Sequence, residues 1–318
     1  MKLRKFIYSL SVALTVATFT CGLIGCAGLR PPLAIPNTPP PVPTPSTPPK
    51  VVLVLGSGGA RGYAHLGVLQ ALQEAGIPIN TIVCASAGCV VGALYADNAN
   101  ARKTFDIMMH AGFWTFADVS NLPNPSGIVE GYHLEKFLLR HMHAVTFNQL
   151  KIKLITATTD LKTGKTYAIA SGPIAPAILA SAALPGLVQP VHLYGHVLID
   201  GGVADPVPTG IAKQLNPTII IAVNVGQQLP PRLPKAAWDI YARAYNIMWQ
   251  HLTEASEQDA QIIIRPHVGQ VGTFDLNQRY QMYLDGLHAA QKEIPAIKKL
   301  LAKNHITLLK IVGSKAHA

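Results

Sequence analysis

Residues 82–92, "IVCASAGCVVG", set Ser86 where an apolar run gives way to a helix-forming one. A serine on a sharp strand-to-helix turn is held in a strained backbone conformation with its hydroxyl exposed, as acyl-transfer nucleophiles are. Such a turn asks for small residues two before and two after the serine. Gly88 supplies the second, while Cys84 stands where the G-x-S-x-G pattern has its first glycine. Taken alone, the stretch is equally a serine N-cap on a core helix. To be reactive, Ser86 needs a base and a place for negative charge, and two further stretches offer them. "GHVLIDGGVADPVP" puts Asp200 at the end of an apolar run, in a glycine turn that exposes its carboxylate. Alone this is a common turn; beside a nucleophile it supplies the base. "GSGGARG", residues 56–62, is a glycine-rich loop between a strand-like and a helix-like segment.

Three readings compete for that loop. A dinucleotide site needs an acid about 20 residues on for the ribose, and no Asp or Glu occurs between Ala75 and Ala96. A phosphate-binding P-loop ends in Gly-Lys-Ser/Thr, whereas this loop ends in Arg61-Gly62-Tyr63. In the third reading the loop amides at a helix N-terminus stabilise the oxyanion of a tetrahedral acyl intermediate, with Arg61 adding positive charge or fixing the loop. Only this reading makes use of Ser86.

The elements that must position these residues are legible from periodicity. "KVVLVL" (50–55) is a continuous valine-rich run, the pattern of a buried parallel strand. Beyond the loop, Ala64, Val68, Ala71, Leu72 and Ala75 recur at helical spacing, and Gly76 and Pro78 end the helix. "INTIVCA" (79–85) predicts a second strand running into Ser86, followed by a helix from Ala87 to about Ala96. "KLITATT", "PTIIIAVNV" and "QIIIRP" are further strands alternating with helical stretches. Together they predict an α/β fold, a three-layer α/β/α sandwich with a mostly parallel central sheet and the site at the carboxyl ends of its strands.

Composition adds the setting. The chain has 318 residues, 49% hydrophobic and 13% charged, enough for a large buried core. Lys2, Arg4 and Lys5 precede an uncharged apolar run over residues 6–20, which ends in "LIGC". This is the pattern of a bacterial lipoprotein signal peptide, cut before a cysteine that is then acylated; the alternative is an uncleaved membrane anchor. The expected organisation is a signal peptide over 1–25, a stalk over 26–49 after lipidated Cys26, and one domain over 50–318. The stalk has ten prolines between Pro31 and Pro49. As polyproline II at ~3.1 Å per residue, it holds a domain up to about 60 Å from its anchor. Ala27, not an aspartate, follows Cys26, which by the sorting habit of enteric bacteria favours the outer membrane of the cell envelope.

The formal charge is +10, of which three positive charges lie in the leader, leaving +7. A basic surface suits anionic headgroups; with no dense Lys/Arg run and no basic–aromatic interleaving, nucleic acid is not expected as a partner. Neither metal nor cofactor is expected. Cys84 and Cys89 bracket the turn and are expected as two small buried thiols, since pairing them would distort it.

These motifs resemble those of bacterial patatin-like phospholipases. "GSGGARG" is similar to that family's glycine-rich block, "ASAG" to its nucleophile elbow and "DGG" to its aspartate block. "GIVEGYHL" (127–134), "TATTDLKTGK" (156–165) and "ASAALPGLVQPV" (180–191) support the match, which covers about residues 51–225. The resemblance implies Ser86 as nucleophile, Asp200 as base without any histidine, and an oxyanion hole of Gly58, Gly59 and Arg61. It implies an acylhydrolase of phospholipids or lysophospholipids. The alternative is a catalytically silent envelope lipoprotein that keeps the fold to bind lipid or a partner. His251, His267, His288 and His305 are available for a triad, none in a strand-end context as clear as that of Asp200; His65 is expected to brace the loop. The aromatic stretch 110–122 is expected to be core packing beneath a loop, the alternative being an acyl-chain pocket or membrane-facing flap. The stripe Tyr241, Tyr245 and Trp249 on a helix over 238–257 is expected to be core, the alternative being an interfacial role.

Overall fold

The computed structural model describes residues 47–310 except 117, 119–126, 227 and 270. The leader, Cys26 and most of the proline stalk lie outside these residues, as does most of the proline–glycine loop after the 110–122 stretch. Among the described residues, no helix is long and apolar enough to cross a membrane.

Five parallel strands make up most of one sheet: β1 (Val51–Leu55), β2 (Thr81–Ala85), β3 (Lys153–Asp160), β7 (Ile219–Val223) and β8 (Ile262–Ile264). Three antiparallel additions, β4 (Thr166–Ile169), β5 (Val191–Leu193) and β6 (His196–Asp200), make it mixed. The order is β5-β6-β3-β2-β1-β7-β8, with β4 paired to β3. The continuous apolar run of β1 is explained by burial on both faces, every residue of it being inaccessible. Val52, Val54, Val83 and Ile220 pack with Val207 and Ala212 on one face. On the other, Leu55, Ile82 and Leu154 meet the helix that follows β2 at Gly92. The expected sandwich with helices on both faces is what forms.

The helices are α1 (Ala64–Glu74), α2 (Ala87–Asn98), α3 (Ala101–Met109), α4 (Phe113–Phe116), α5 (Tyr132–His141), α6 (Ile174–Ser181), α7 (Thr209–Gln214), α8 (Ala237–Ser256) and α9 (Arg279–Lys303). Between β1 and α1 the glycine loop closes into a 3-10 turn over Gly59–Tyr63. Register sets the position of the acid. Ala85 lies opposite Ala157 of β3, and Asp200 lies opposite Thr158, the next residue of the same strand. The ends of β2 and β6 therefore meet at one level of β3.

Candidate active site

Ser86 adopts φ 52° and ψ −125° between β2 and α2, a conformation rarely open to a residue with a side chain. Holding it stores about 1–3 kcal/mol, which the surrounding structure must over-determine. Two contacts do so. The Ser86 N–H donates to Ser181 Oγ at 2.9 Å, and Ser181 Oγ donates to Ala157 O at 2.6 Å, which ties the turn to α6 and β3. Gly88 permits the close approach of α2 to β1: a Cβ there would lie 2.3 Å from Leu55 O. The helix-cap alternative fails on its own terms, since the Ser86 side chain caps no amide of α2.

That side chain points instead at the acid. Ser86 Oγ donates to Asp200 Oδ2 at 2.6 Å, and Asp200 Oδ1 accepts the Gly202 N–H at 2.7 Å. Thr159 Oγ1 donates to Asp200 O and fixes the strand end. Both side chains are buried. Burial pushes the Asp200 carboxyl up to about 6, against the pull of the Ser86 and Gly202 hydrogen bonds. A carboxylate so placed is a better base than one in water and is charged at neutral pH. Among the described residues, no histidine bonds to Ser86 or Asp200; His251 faces Glu254 on the surface.

The glycine loop faces this pair. Ala60 N donates to Thr273 O and Arg61 N to Gly58 O, while the amides of Gly58 and Gly59 meet no acceptor among the described residues. Gly59 has φ 57°, and a Cβ there would press to 2.5 Å from the Thr273 side chain. Arg61 is buried, with Nε donating to Val225 O and a terminal nitrogen to Val271 O. Burial lowers its pKa to about 10, which leaves it charged. Of the two roles open to it, this geometry is that of a loop brace, its charge reaching the site only through space. His65 braces the loop too. Its Nε2 bonds Gly56 O at 2.8 Å, and complete burial lowers its pKa to about 4, so the ring is neutral.

The expectation for the two cysteines is overturned. Cys84 and Cys89 form a disulfide, with Cα atoms 4.9 Å apart, rather than two separate thiols. The strand-to-helix turn brings the end of β2 back over the first turn of α2, within the usual Cα range for a bridge. So the −2 side chain does face the helix at close range, and the crosslink, not an absent side chain, accommodates it. Cys89 Sγ also lies 3.3 Å from Ser181 Oγ.

Ser86 and Asp200 open into a cavity of about 500 Å³ lined by Val90, Met108, Phe116, Leu134 and Leu179. Its walls are apolar, suited to an acyl chain. Among the described residues of the 110–122 stretch, Ala111 and Asp118 are buried and Phe116 packs edge-on against buried Phe137 while lining the cavity, whereas Trp114 is 68% exposed. The α8 stripe departs further: Tyr245 and Trp249 line the cavity mouth, and Tyr241 is exposed. Trp249 Nε1 donates to Gly202 O, beside the acid. Ser181 lies in the matching stretch 180–191, and nothing in its spacing marks it as the support of the Ser86 amide. Among the described residues, no group of three or more His, Cys, Asp or Glu side chains is placed to hold a metal.

The family model described as patatin-like phospholipase matches residues 53–213. An uncharacterised NTE family protein of Mycobacterium tuberculosis is 38% identical over 180 residues, 55% of this chain and 49% of that one. The lysophospholipase NTE1 of Pyricularia oryzae is 30% identical over 239 residues, 73% of this chain and 16% of that one. The chain thus spans about half the length of its mycobacterial relative and a small part of the fungal one. Among solved structures, VipD from Legionella pneumophila shares the fold, with a TM-score of 0.52 at 15% identity over 78% of this chain and 67% of that one.

Proposed function

The chain belongs to the patatin-like phospholipase family, and on that premise we propose that it is a serine acylhydrolase cleaving carboxylic esters of phospholipids or lysophospholipids. The observation that carries this reading is the Ser86 Oγ–Asp200 Oδ2 hydrogen bond of 2.6 Å on a strained turn at an apolar cavity. Asp200 takes the Ser86 proton as Oγ bonds to the ester carbonyl carbon. The amides of Gly58 and Gly59 receive the resulting oxyanion. Collapse breaks the bond to the alcohol, which leaves with the proton from Asp200, and Ser86 keeps the acyl group as an ester. Water, deprotonated by Asp200, attacks that ester; as the second tetrahedral intermediate collapses, Asp200 gives the proton back to Ser86 Oγ and the fatty acid is released.

Incubating the protein with a mixed phospholipid and lysophospholipid extract, and identifying released fatty acids by mass spectrometry, tests the reading. Acid release by the wild type that Ser86→Ala abolishes supports it; no release from any lipid favours the silent lipid- or partner-binding alternative.

The same protein is proposed to be held at the bacterial envelope through lipidated Cys26, at the outer membrane by the identity of Ala27. The support is the "LIGC" sequence behind a basic, apolar leader and ahead of a proline stalk. Mass spectrometry of the membrane-bound chain tests this: an acylated N-terminal Cys26 is expected, and a retained 1–25 segment contradicts it.

A further inference from the structure

Helix α8 has the composition of a core helix and none of the burial. From Ala237 to Leu252, eleven of sixteen residues are apolar. Yet the only buried residue of the helix is Thr253, in its last turn. Trp238 is 76% exposed, Met248 70% and Tyr241 63%, and Leu233 ahead of the helix is 77% exposed. Trp238 and Tyr241 stack at 5.4 Å, forming one aromatic surface. A contiguous apolar face of this kind marks a site that something covers.

Two observations say what covers it. The first is charge. From residue 228 to the end of α8 there are three basic residues, Arg232, Lys235 and Arg243, and two acids, Asp239 and Glu254. All three basic residues lie in the approach and the first half of the helix, with Glu254 in its last turn. Arg243 donates to Pro230 O and Arg232 O, which folds the basic, proline-rich approach onto the helix. Exposed tryptophan, tyrosine and methionine beside basic residues suit the boundary between anionic headgroups and acyl chains. The second is continuity with the site. Tyr245 and Trp249 of this helix line the mouth of the Ser86 cavity, as does Phe274, itself 53% exposed. A protein lying on α8 would stand over that mouth, whereas a lipid surface there would bring esters to it.

We propose that α8 is a lipid-surface seat: Trp238, Tyr241 and Met248 sit in the headgroup–acyl boundary, and the Tyr245–Trp249 side opens from that boundary to Ser86. The preference for lipid over protein rests on the acylhydrolase reading. The helix lies on the surface and does not span it, since it carries Asp239, Arg243 and Glu254 within twenty residues.

The test uses the full chain and vesicles of phosphatidylcholine and phosphatidylglycerol with brominated acyl chains. Trp238 emission is taken as the difference between wild type and Trp238→Phe. Seating predicts that bromolipid quenches this emission at least about twofold and that vesicles shield it from aqueous acrylamide. If Trp238 stays unquenched and open to acrylamide on a vesicle-bound chain, α8 is not the seat. Shielding of Trp238 before lipid is added, together with the mass of a dimer, also overturns the proposal, in favour of a second copy on α8.

A Trp238→Ser/Met248→Ser variant separates seat from activity. It should hydrolyse a soluble short-chain ester as the wild type does but release fatty acid from vesicles at least about fivefold more slowly. Equal release from vesicles by variant and wild type sinks the seat and leaves the acylhydrolase standing. Bromolipid quenching without hydrolysis of either ester sinks the acylhydrolase and leaves the seat.

Discussion

Ser86 Oγ and Asp200 Oδ2, 114 residues apart in sequence, lie 2.6 Å apart in a buried hydrogen bond, each at the carboxyl end of its own strand. The pair shares a proton acceptor whose affinity burial has raised, with a pKa of about 6.

Activity should therefore depend on pH through Asp200. The kcat/KM profile for a soluble ester is expected to rise from acid to neutral pH with an apparent pKa near 6, as the carboxylate becomes free to take the Ser86 proton. Asp205, pushed to about 7 by burial, is another raised acid, two residues beyond the 3-10 turn Gly201–Val203 that follows Asp200. In Asp205→Asn the limb near 6 should persist; its disappearance would assign it to Asp205.

The same shift has a consequence for stability. A carboxyl whose folded pKa lies above its unfolded value stabilises fully below about 3.8, and that contribution is lost as pH rises through about 6. Asp200→Asn should thus be more stable than the wild type at pH 7.5, with a higher Tm, and the gap should close near pH 4. An Asn variant less stable at pH 7.5 would mean that the Asp200 hydrogen bonds outweigh the desolvation of its charge.

Ser181 should act on the reaction without touching substrate. Ser181→Ala leaves the Ser86 N–H and Ala157 O without their partner, in a buried setting where each unmade bond costs about 1–3 kcal/mol. The expected signature is a fall in kcat with KM little changed, because the turn loses its hold on the Ser86 hydroxyl. A fall in stability with kcat intact would make Ser181 a packing residue only.

The Cys84–Cys89 bridge should contribute stability rather than chemistry. It closes a loop of about six residues, worth about 2 kcal/mol by chain entropy. Cys84→Ala/Cys89→Ala should shift urea unfolding by about that much while keeping ester hydrolysis within about threefold. Because both sulfurs are inaccessible, reductant should leave the folded protein unchanged and act during refolding. Alkylation of two thiols in the native, unreduced protein would contradict the bridge.

The sequence carried the strands, the glycine loop and the positions of Ser86 and Asp200, because each lies where an apolar run ends and a small-residue turn begins. It could not place Cys89 over Cys84, since the path of a strained turn is set by the register of β1, β2 and β3 and not by the spacing of two cysteines. Nor could it aim the Arg61 guanidinium, whose acceptors Val225 and Val271 lie more than 160 residues away. The α8 stripe leaves core and interface both open for a plain reason: Tyr241, Tyr245 and Trp249 have the same spacing whether a helix faces a core, a cavity mouth or a lipid surface.

The central claim is that Ser86 carries the acyl group. Intact-mass and peptide mapping of protein treated with a fluorophosphonate ester, or quenched during turnover of a slowly hydrolysed ester, reads it directly. One adduct is expected, on Ser86, absent from Ser86→Ala and formed far more slowly in Asp200→Asn, with no single histidine substitution having either effect. Steady hydrolysis with no adduct on Ser86, or an adduct whose formation depends on His267 as strongly as on Asp200, would contradict it.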